Sequence, residues 1–565
     1  VSDAPNGWED DQEPVPPLEE EPQAPRESAG AKMTISVVIV SAFLFLGKIA
    51  GYIKEGMLSD YWGLSGGLDA FKVVYNSIVF LIYTKVEKLL RPTFLPIFVE
   101  HRDAGDEERA WSFFSSIINL ALISTTALTL LAVIFAPQVM RLWPGLSAEN
   151  QALGVSLLRI SGFALILLVM SVMFELTLQA YKKFTAPALA EAIMRVTLPA
   201  TIFGLIALWA MQPVGTQGSL PNSGLLAAAW GVLFGAAMRL LVQAPALWGR
   251  LRRYRPRLDL RNPDVRRMLA LVPPVIVGLL FSSARTFFDS RFATDIEPGI
   301  YTALDFARKI SDAPILILPL AVSLVVYPFV SEWASRKDSA MFTHSLVAMT
   351  RIMAFIFVPM AVGLMVLSVP AIRLLCLGDG AFQPEDTYVV QRALIPYAAG
   401  IPFFALESSI NNWFFALGDT ATPNYAGAAA AVLHIALAWF GVYHLRRSVG
   451  VIALALSISK SIKVIALYGL LRPRLDPISG RETGSFIARF LMATGIMAIA
   501  VSLTYRGLQS MVLSGGRIES AVALAACGAV GAVVYLVAAA ALRIEEVGMV
   551  IDYVRKKLAK RRGGR

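Results

Sequence analysis

A chain of 565 residues that is 56% hydrophobic, only 16% charged and has a mean hydropathy of +0.60 is not an ordinary soluble domain. Its formal charge of +10 does not point to nucleic acid: residues 1–33 hold nine acidic and two basic residues, and the cationic excess falls in loops and the C-terminal tail, as in polytopic membrane proteins. Cys376 and Cys527 supply no disulfide framework, the scattered His101, His344, His434 and His444 read as solvated or packed side chains without metal-ligand spacing, and phosphate-loop, zinc-protease and dinucleotide fingerprints are missing.

In chain order, the Pro- and Glu-rich stretch 1–33 reads as a disordered acidic cytoplasmic tail. It has none of the features of a signal peptide, and Met33, directly before the first apolar helix, is a candidate start. Six spans long enough to cross a bilayer follow at 34–53, 64–84, 111–135, 154–180, 186–211 and 224–248, forming a first lobe over 34–248. A basic linker at 249–266 leads into six more, at 267–289, 301–330, 345–369, 387–416, 424–444 and 450–471, a second lobe over 267–471. A helix pair within 485–542 and a basic tail at 543–565 complete an all-α polytopic membrane protein of about fourteen transmembrane helices.

An even count puts both termini on one side. The linker GRLRRYRPRLDLRNPDVRR and the tail VRKKLAKRRGGR place that side in the cytoplasm, with Arg446 and Arg447 in a short outer loop as the exception. The halves share one plan: LTLQAYKKFTAP ends at Pro187 and INNWFFALGDTATP at Pro423, and the same offset separates Asp69 from Asp305. Gly63-Leu64-Ser65-Gly66-Gly67 satisfies G-x-S-x-G but lies between spans without a strand-to-helix context, and reads as a flexible loop.

Charges inside apolar helices carry the functional signal, because each costs at least about 2.5 kcal/mol at bilayer depth unless it faces a wet cavity or a partner. The first half places Lys48, Lys54, Glu55, Asp69, Lys72, Arg159, Glu175, Glu191, Arg195 and Arg239 this way; the second places Arg285, Asp289, Asp305, Arg308, Lys309, Asp312, Glu407, Lys460 and Lys463. Glu191 and Arg195 are spaced as a structural i,i+4 pair. Lys48 and Lys54 project about 120° apart on a helix, and with Asp69 and Arg308 they suggest a cationic chamber between the halves, suited to a pyrophosphate.

The stretches GKIAGYIKEG, GLDAFKVVY, FLPIFVEHR, QRALIPYAAGIP and FFALGDTATP together resemble the MurJ (MviN) lipid II flippase family of the multidrug/oligosaccharidyl-lipid/polysaccharide exporter superfamily, over about residues 34 to 540. The resemblance implies that Lys48 and Lys54 stand for two arginines of the first helix, Asp69 for the family aspartate and Arg308 for the eighth-helix arginine, all in or beside a central cationic cavity. Departures are visible: Ile82 and Tyr83 occupy the places of an arginine pair, leaving Lys85 as the nearest cation, and Ser311, followed by Asp312, stands where an acidic residue is usual.

The expectation is a non-enzymatic transporter with no metal or cofactor, probed by Lys48, Lys54, Asp69, Arg308 and Lys85 for substrate and by Glu55, Asp305, Asp312, Glu191 and Arg195 for gating or structure. It would be monomeric, in the bacterial cytoplasmic membrane, with anionic lipids and cell-wall synthesis proteins as partners. It would flip a polyprenyl-pyrophosphate-linked sugar, lipid II foremost, by alternating access, Asp69 tethering a lysine in one state and releasing it in the other. A membrane potential and a Na+/H+ gradient both stay open as driving force. Export of another undecaprenyl-linked oligosaccharide and a non-transporting scaffold are the alternatives; an antiporter for cationic drugs would need a carboxylate-dominated chamber.

Overall fold

The computed structural model describes residues 26–210, 224–315, 318–376, 380–445, 448–511, 516–546 and 548, and the elements among them are all helical. Helix α1 spans Arg26–Trp62, roughly 55 Å at 1.5 Å per residue. Its first turns fall within the expected tail: Glu27, Ala29, Ala31 and Lys32 are good helix formers and extend the apolar helix backwards. The remainder of that tail, the basic tail from 549 and the Arg446–Arg447 exception lie outside the described residues.

The G-x-S-x-G stretch is, as expected, in the loop after α1, and it runs on into the first turn of the next helix. Gly63 adopts a left-handed φ of +56° and a Cβ there would lie 2.6 Å from the Ala381 carbonyl oxygen. The Ser65 hydroxyl then accepts the Leu68 amide at 3.2 Å and caps α2, Gly66–Lys72. A π-helical segment, Val73–Val79, joins α2 to α3, Phe80–Asp103; its widened turn re-aims side chains in the middle of the helix. The expected span 64–84 thus becomes a longer, interrupted helix.

The first half continues with α4 (Glu107–Ile134), a short α5 (Ala136–Met140), α6 (Ala148–Ser161), α7 (Ala164–Ala180), α8 (Thr185–Ala210) and α9 (Gly224–Leu251). The second runs through α10 (Pro263–Thr294), α11 (Ile300–Asp312), α12 (Leu318–Ser335), α13 (Ser339–Val366), α14 (Ser368–Cys376), α15 (Asp386–Ala416), α16 (Ala421–Phe440) and α17 (Val449–Leu471). The last pair is α18 (Gly480–Met511) and α19 (Arg517–Ala541). Among the described residues ten helices are long and apolar enough to cross a membrane, and α10, bent by 51° after Pro273, makes eleven. The expected count of fourteen is not reached, in part because α2–α3 and α11 carry charges along their length.

Packing follows the chain. Helix α8 packs on α1 and α9, and α7 on α3, α4 and α9; in the second half α15 packs on α11, α12, α13 and α17, and α16 on α10 and α17. The pair α18–α19 leans on α13 and α14. At the Asp103 end of the first half, Phe94, Phe98, Trp111, Phe113 and Phe114 form a buried aromatic cluster, each ring removing large apolar area from the surroundings. The basic linker packs on this same end: Arg253 pairs with Glu107, and the Arg255 amide donates to Ser115 Oγ at 3.1 Å.

At the opposite, Trp62 end the halves touch backbone to backbone. The Ala381 amide donates to the Asp60 carbonyl at 2.5 Å, and a Cβ on Gly380 would lie 2.0 Å from that oxygen. Only glycine lets the chain approach so closely.

Candidate functional site

Just inside the closed end, five charged side chains from three helices form one network. Glu55 of α1 binds Lys54 at 2.6 Å, Lys72 of α2 at 3.2 Å and Lys309 of α11 at 2.6 Å. Asp305 of α11 binds Lys72 at 2.6 Å and Lys309 at 2.7 Å, and Asn76 donates to its other oxygen at 3.4 Å. Glu55 and Lys72 are almost fully buried. Removing one partner from such a network leaves an uncompensated charge, a penalty of about 3–5 kcal/mol for a buried pair. Three lysines against two carboxylates leave the network one positive charge in excess.

That excess faces a cavity of about 580 Å³. It runs from Phe184 and Pro187, at the start of α8, to Lys54 and Lys309. Arg195 and Arg239 add cations to its wall; Glu87, Glu175 and Glu191 add carboxylates. Arg239, nearly fully buried, binds Glu175 at 2.7 Å and Glu191 at 3.1 Å, and its guanidinium lies 5.1 Å over the Tyr83 ring. Tyr83 occupies a place where the resemblance has an arginine, so here α9 delivers a guanidinium to a position that α3 does not fill itself.

Of the residues expected to meet substrate, Lys54 lines this cavity, 4.7 Å over the Tyr75 ring. Lys48 is half-buried on α1 and makes no ion pair among the described residues. Lys85 donates to Ser282 of α10 at 2.6 Å, joining the two halves. Arg308 faces away from the lysine network, 3.9 Å from Asp289 and 3.7 Å from Asp312. Asp69 binds no lysine in this state. It is fully buried, its oxygens accepting the Gly299 amide at 2.6 Å and the Thr302 amide and hydroxyl at 2.7 Å each, so it caps α11. In this state Asp69 is a helix cap from one half onto the other.

Among the residues expected to gate, Glu55 and Asp305 hold the network together, and Glu191 pairs with Arg195 at 2.7 Å, the i,i+4 geometry its spacing implies. Glu191 also reaches Arg239, which links that pair to the cavity wall. Sequence reasoning placed Lys309 among the intramembrane charges but assigned the substrate to its neighbour Arg308; one helical position turns a side chain by about 100°, and that rotation separates the two networks. It also passed over His434, which is 1% exposed and bonds Asp289 at 2.6 Å across α10 and α16. Its signal was a histidine in the middle of an apolar span.

Two helical halves, a charged cavity walled by the first half with Lys309 of the second at its edge, and a lysine–carboxylate network joining the halves define a membrane transporter. The family model described as "MurJ: Lipid II flippase MurJ" matches residues 58–515, and the chain belongs to that family. Among curated relatives it is 25% identical over 82% of its length to the "Probable lipid II flippase MurJ" of Vibrio cholerae, covering 88% of that protein. It is 24% identical over 78% of its length to the protein of the same name from Borreliella burgdorferi, covering 84%. Among solved structures it resembles "Lipid II flippase MurJ, inward closed conformation", with a TM-score of 0.72 and 21% identity over 90% of this chain and all of that one. An inward-facing multidrug resistance transporter of the MOP superfamily gives a TM-score of 0.62 at 15% identity, over 77% of this chain and 97% of that one. The fold is that of the superfamily, and the chain is a multi-pass membrane protein.

Proposed function

We propose that this chain moves lipid II across the bacterial cytoplasmic membrane by alternating access, with the pyrophosphate met by Lys54 and Lys309. The observation that carries the reading is the placement of both lysines on the wall of one cavity, beside the end where the halves meet at Asp60 and Ala381. The linker end, rich in arginine, is the cytoplasmic one, so the cavity receives its ligand from the cytoplasm. The prenyl chain stays in lipid while the head group enters. A pyrophosphate competes with Glu55 and Asp305 for the lysines, and the loosened network lets α1 and α2 part from α11 and the Gly380 segment. The net charge that moves with the substrate and the empty carrier makes the membrane potential a natural driving force.

The test is translocation of lipid II in proteoliposomes, beside a polyprenyl-pyrophosphate glycolipid unrelated to peptidoglycan. Each lysine provides a charge-assisted hydrogen bond of roughly 1.5–3 kcal/mol, so Lys54→Gln and Lys309→Gln should each slow lipid II by at least about tenfold. Undiminished rates in both variants would sink the site assignment. Selective movement of the other glycolipid would transfer the reading to polysaccharide export.

A further inference from the structure

The second half holds a counterpart of the cavity just described, with a different charge balance. In the first half, Pro187, Ala188 and Glu191 of α8 line the wall; at the offset that relates Asp69 to Asp305, Pro423, Asn424 and Gly427 of α16 line a cavity of about 230 Å³ between α10, α16 and α17. Glu175 of α7 holds Arg239 of α9, and Glu407 of α15 likewise holds Lys460 and Lys463 of α17, at 2.5 and 2.6 Å. The two cavities therefore occupy equivalent places in the repeat.

Their chemistry diverges at one position. Glu191 supplies a carboxylate to the first wall, whereas Gly427 supplies none to the second and lets the Lys463 ammonium close on the α16 backbone: a Cβ on Gly427 would lie 3.3 Å from Lys463 Nζ. Arg285 of α10 adds a third cation to the second wall and makes no ion pair within 4 Å among the described residues; Asp289, one turn further on, bonds His434 at 2.6 Å and faces both Arg285 and Arg308, its second oxygen without a hydrogen-bond donor. Three cations thus face a small cavity against the single carboxylate Glu407. An unpaired guanidinium inside a helical bundle is costly unless an anion reaches it.

We propose that the cavity between α10, α16 and α17 is a second anion site that takes a phosphate or pyrophosphate group. Its volume lies below the roughly 300–1,000 Å³ of sites for drug-sized ligands, so it suits a small oxyanion. Arg285 offers a planar pair of donors and Lys460 and Lys463 offer point charges. The Lys85–Ser282 contact lies on its border, since Ser282 also lines this cavity. As a station for the pyrophosphate of a lipid-linked substrate, the inference rests on the proposed function; as an anion site, it stands on this geometry.

Inorganic pyrophosphate is the probe, titrated into the purified full-length protein with thermal stability and calorimetric affinity as readouts. Wild type should gain stability, Arg285→Gln and Gly427→Leu should each weaken the apparent affinity at least about tenfold, and Lys54→Gln should leave this phase within about twofold. Arg285→Gln leaves the Glu407 pairs intact, so the inference stays testable if Gly427→Leu fails to fold. Loss of the response in Lys54→Gln alone would overturn the second site and leave the proposed function standing, and so would a wild type that ignores pyrophosphate while translocating lipid II. A normal response in a protein that moves no lipid II would instead remove the transport reading and keep the site. Repeating the titration in phosphatidylglycerol and phosphatidylcholine nanodiscs distinguishes the occupant: competition by phosphatidylglycerol supports the site with a phospholipid head group in it, and equal responses support it with the substrate's pyrophosphate.

Discussion

Asp69 Oδ1 accepts both the amide and the hydroxyl of Thr302 at 2.7 Å, so a carboxylate from α2 closes the start of α11 on the other side of the molecule. The contact is fully buried and ties the halves at the Trp62 end. Asp69→Ala strands those donors and the Gly299 amide, at about 1–3 kcal/mol per unsatisfied buried group. Its thermal midpoint in detergent should fall by several degrees, while Thr302→Ser, which keeps the hydroxyl, should stay near wild type. An Asp69→Ala protein of unchanged stability would contradict the cap.

Asp305 and Glu55 are the two carboxylates that hold three lysines. Asp305→Asn leaves Glu55 alone with Lys54, Lys72 and Lys309, and a loss of even about 1.4 kcal/mol shifts the closed-to-open ratio tenfold. Spin labels placed on Leu64 and on the 381 segment should report a longer distance population in Asp305→Asn than in wild type. Identical distance distributions would show that the network does not hold this end shut.

Closure also depends on Gly380. With alanine there, the new Cβ meets the Asp60 carbonyl at 2.0 Å, well inside contact distance. The Trp62 end should then fail to close, and a cysteine introduced at Leu64 should react faster with a membrane-impermeant maleimide added from the outside. Native Cys376 and Cys527 are buried and give little background.

Arg239 joins Glu175, Glu191 and Tyr83 in one buried cluster. Arg239→Leu should cost about 3–5 kcal/mol of stability, the scale for breaking a buried pair, and Arg239→Lys should recover only part of it, since ammonium cannot span both carboxylates and stack on the ring. Denaturation midpoints of the three proteins check the order.

Much of this was legible in the chain. Lys54, Glu55, Lys72 and Asp305 announce themselves as charges in apolar helices, and the shared offset of Asp69 and Asp305 announces the repeat. What the residues did not disclose is which charges meet. Asp69 caps a helix more than two hundred residues away, Lys309 replaces its neighbour Arg308 because of one helical step, and Arg239 reaches Tyr83 from α9. Such pairings are set by the rotation and depth of packed helices, which local pattern does not encode. The close approach of the G-x-S-x-G loop to Ala381, a residue distant in sequence, was hidden for a related reason.

The most direct measurement is lipid II translocation by a protein locked shut at the Trp62 end. A Cβ on Gly66 would lie 3.4 Å from Pro298 Cβ, close to the roughly 3.5–4.5 Å that disulfides bridge, once the end of the Asn150 side chain, 2.3 Å from that Cβ, swings aside. In proteoliposomes the Gly66→Cys/Pro298→Cys protein should transport lipid II when reduced, stop when oxidised and resume on adding dithiothreitol. Continued translocation with the cross-link complete would contradict the account, because the end that must part for release would have stayed closed.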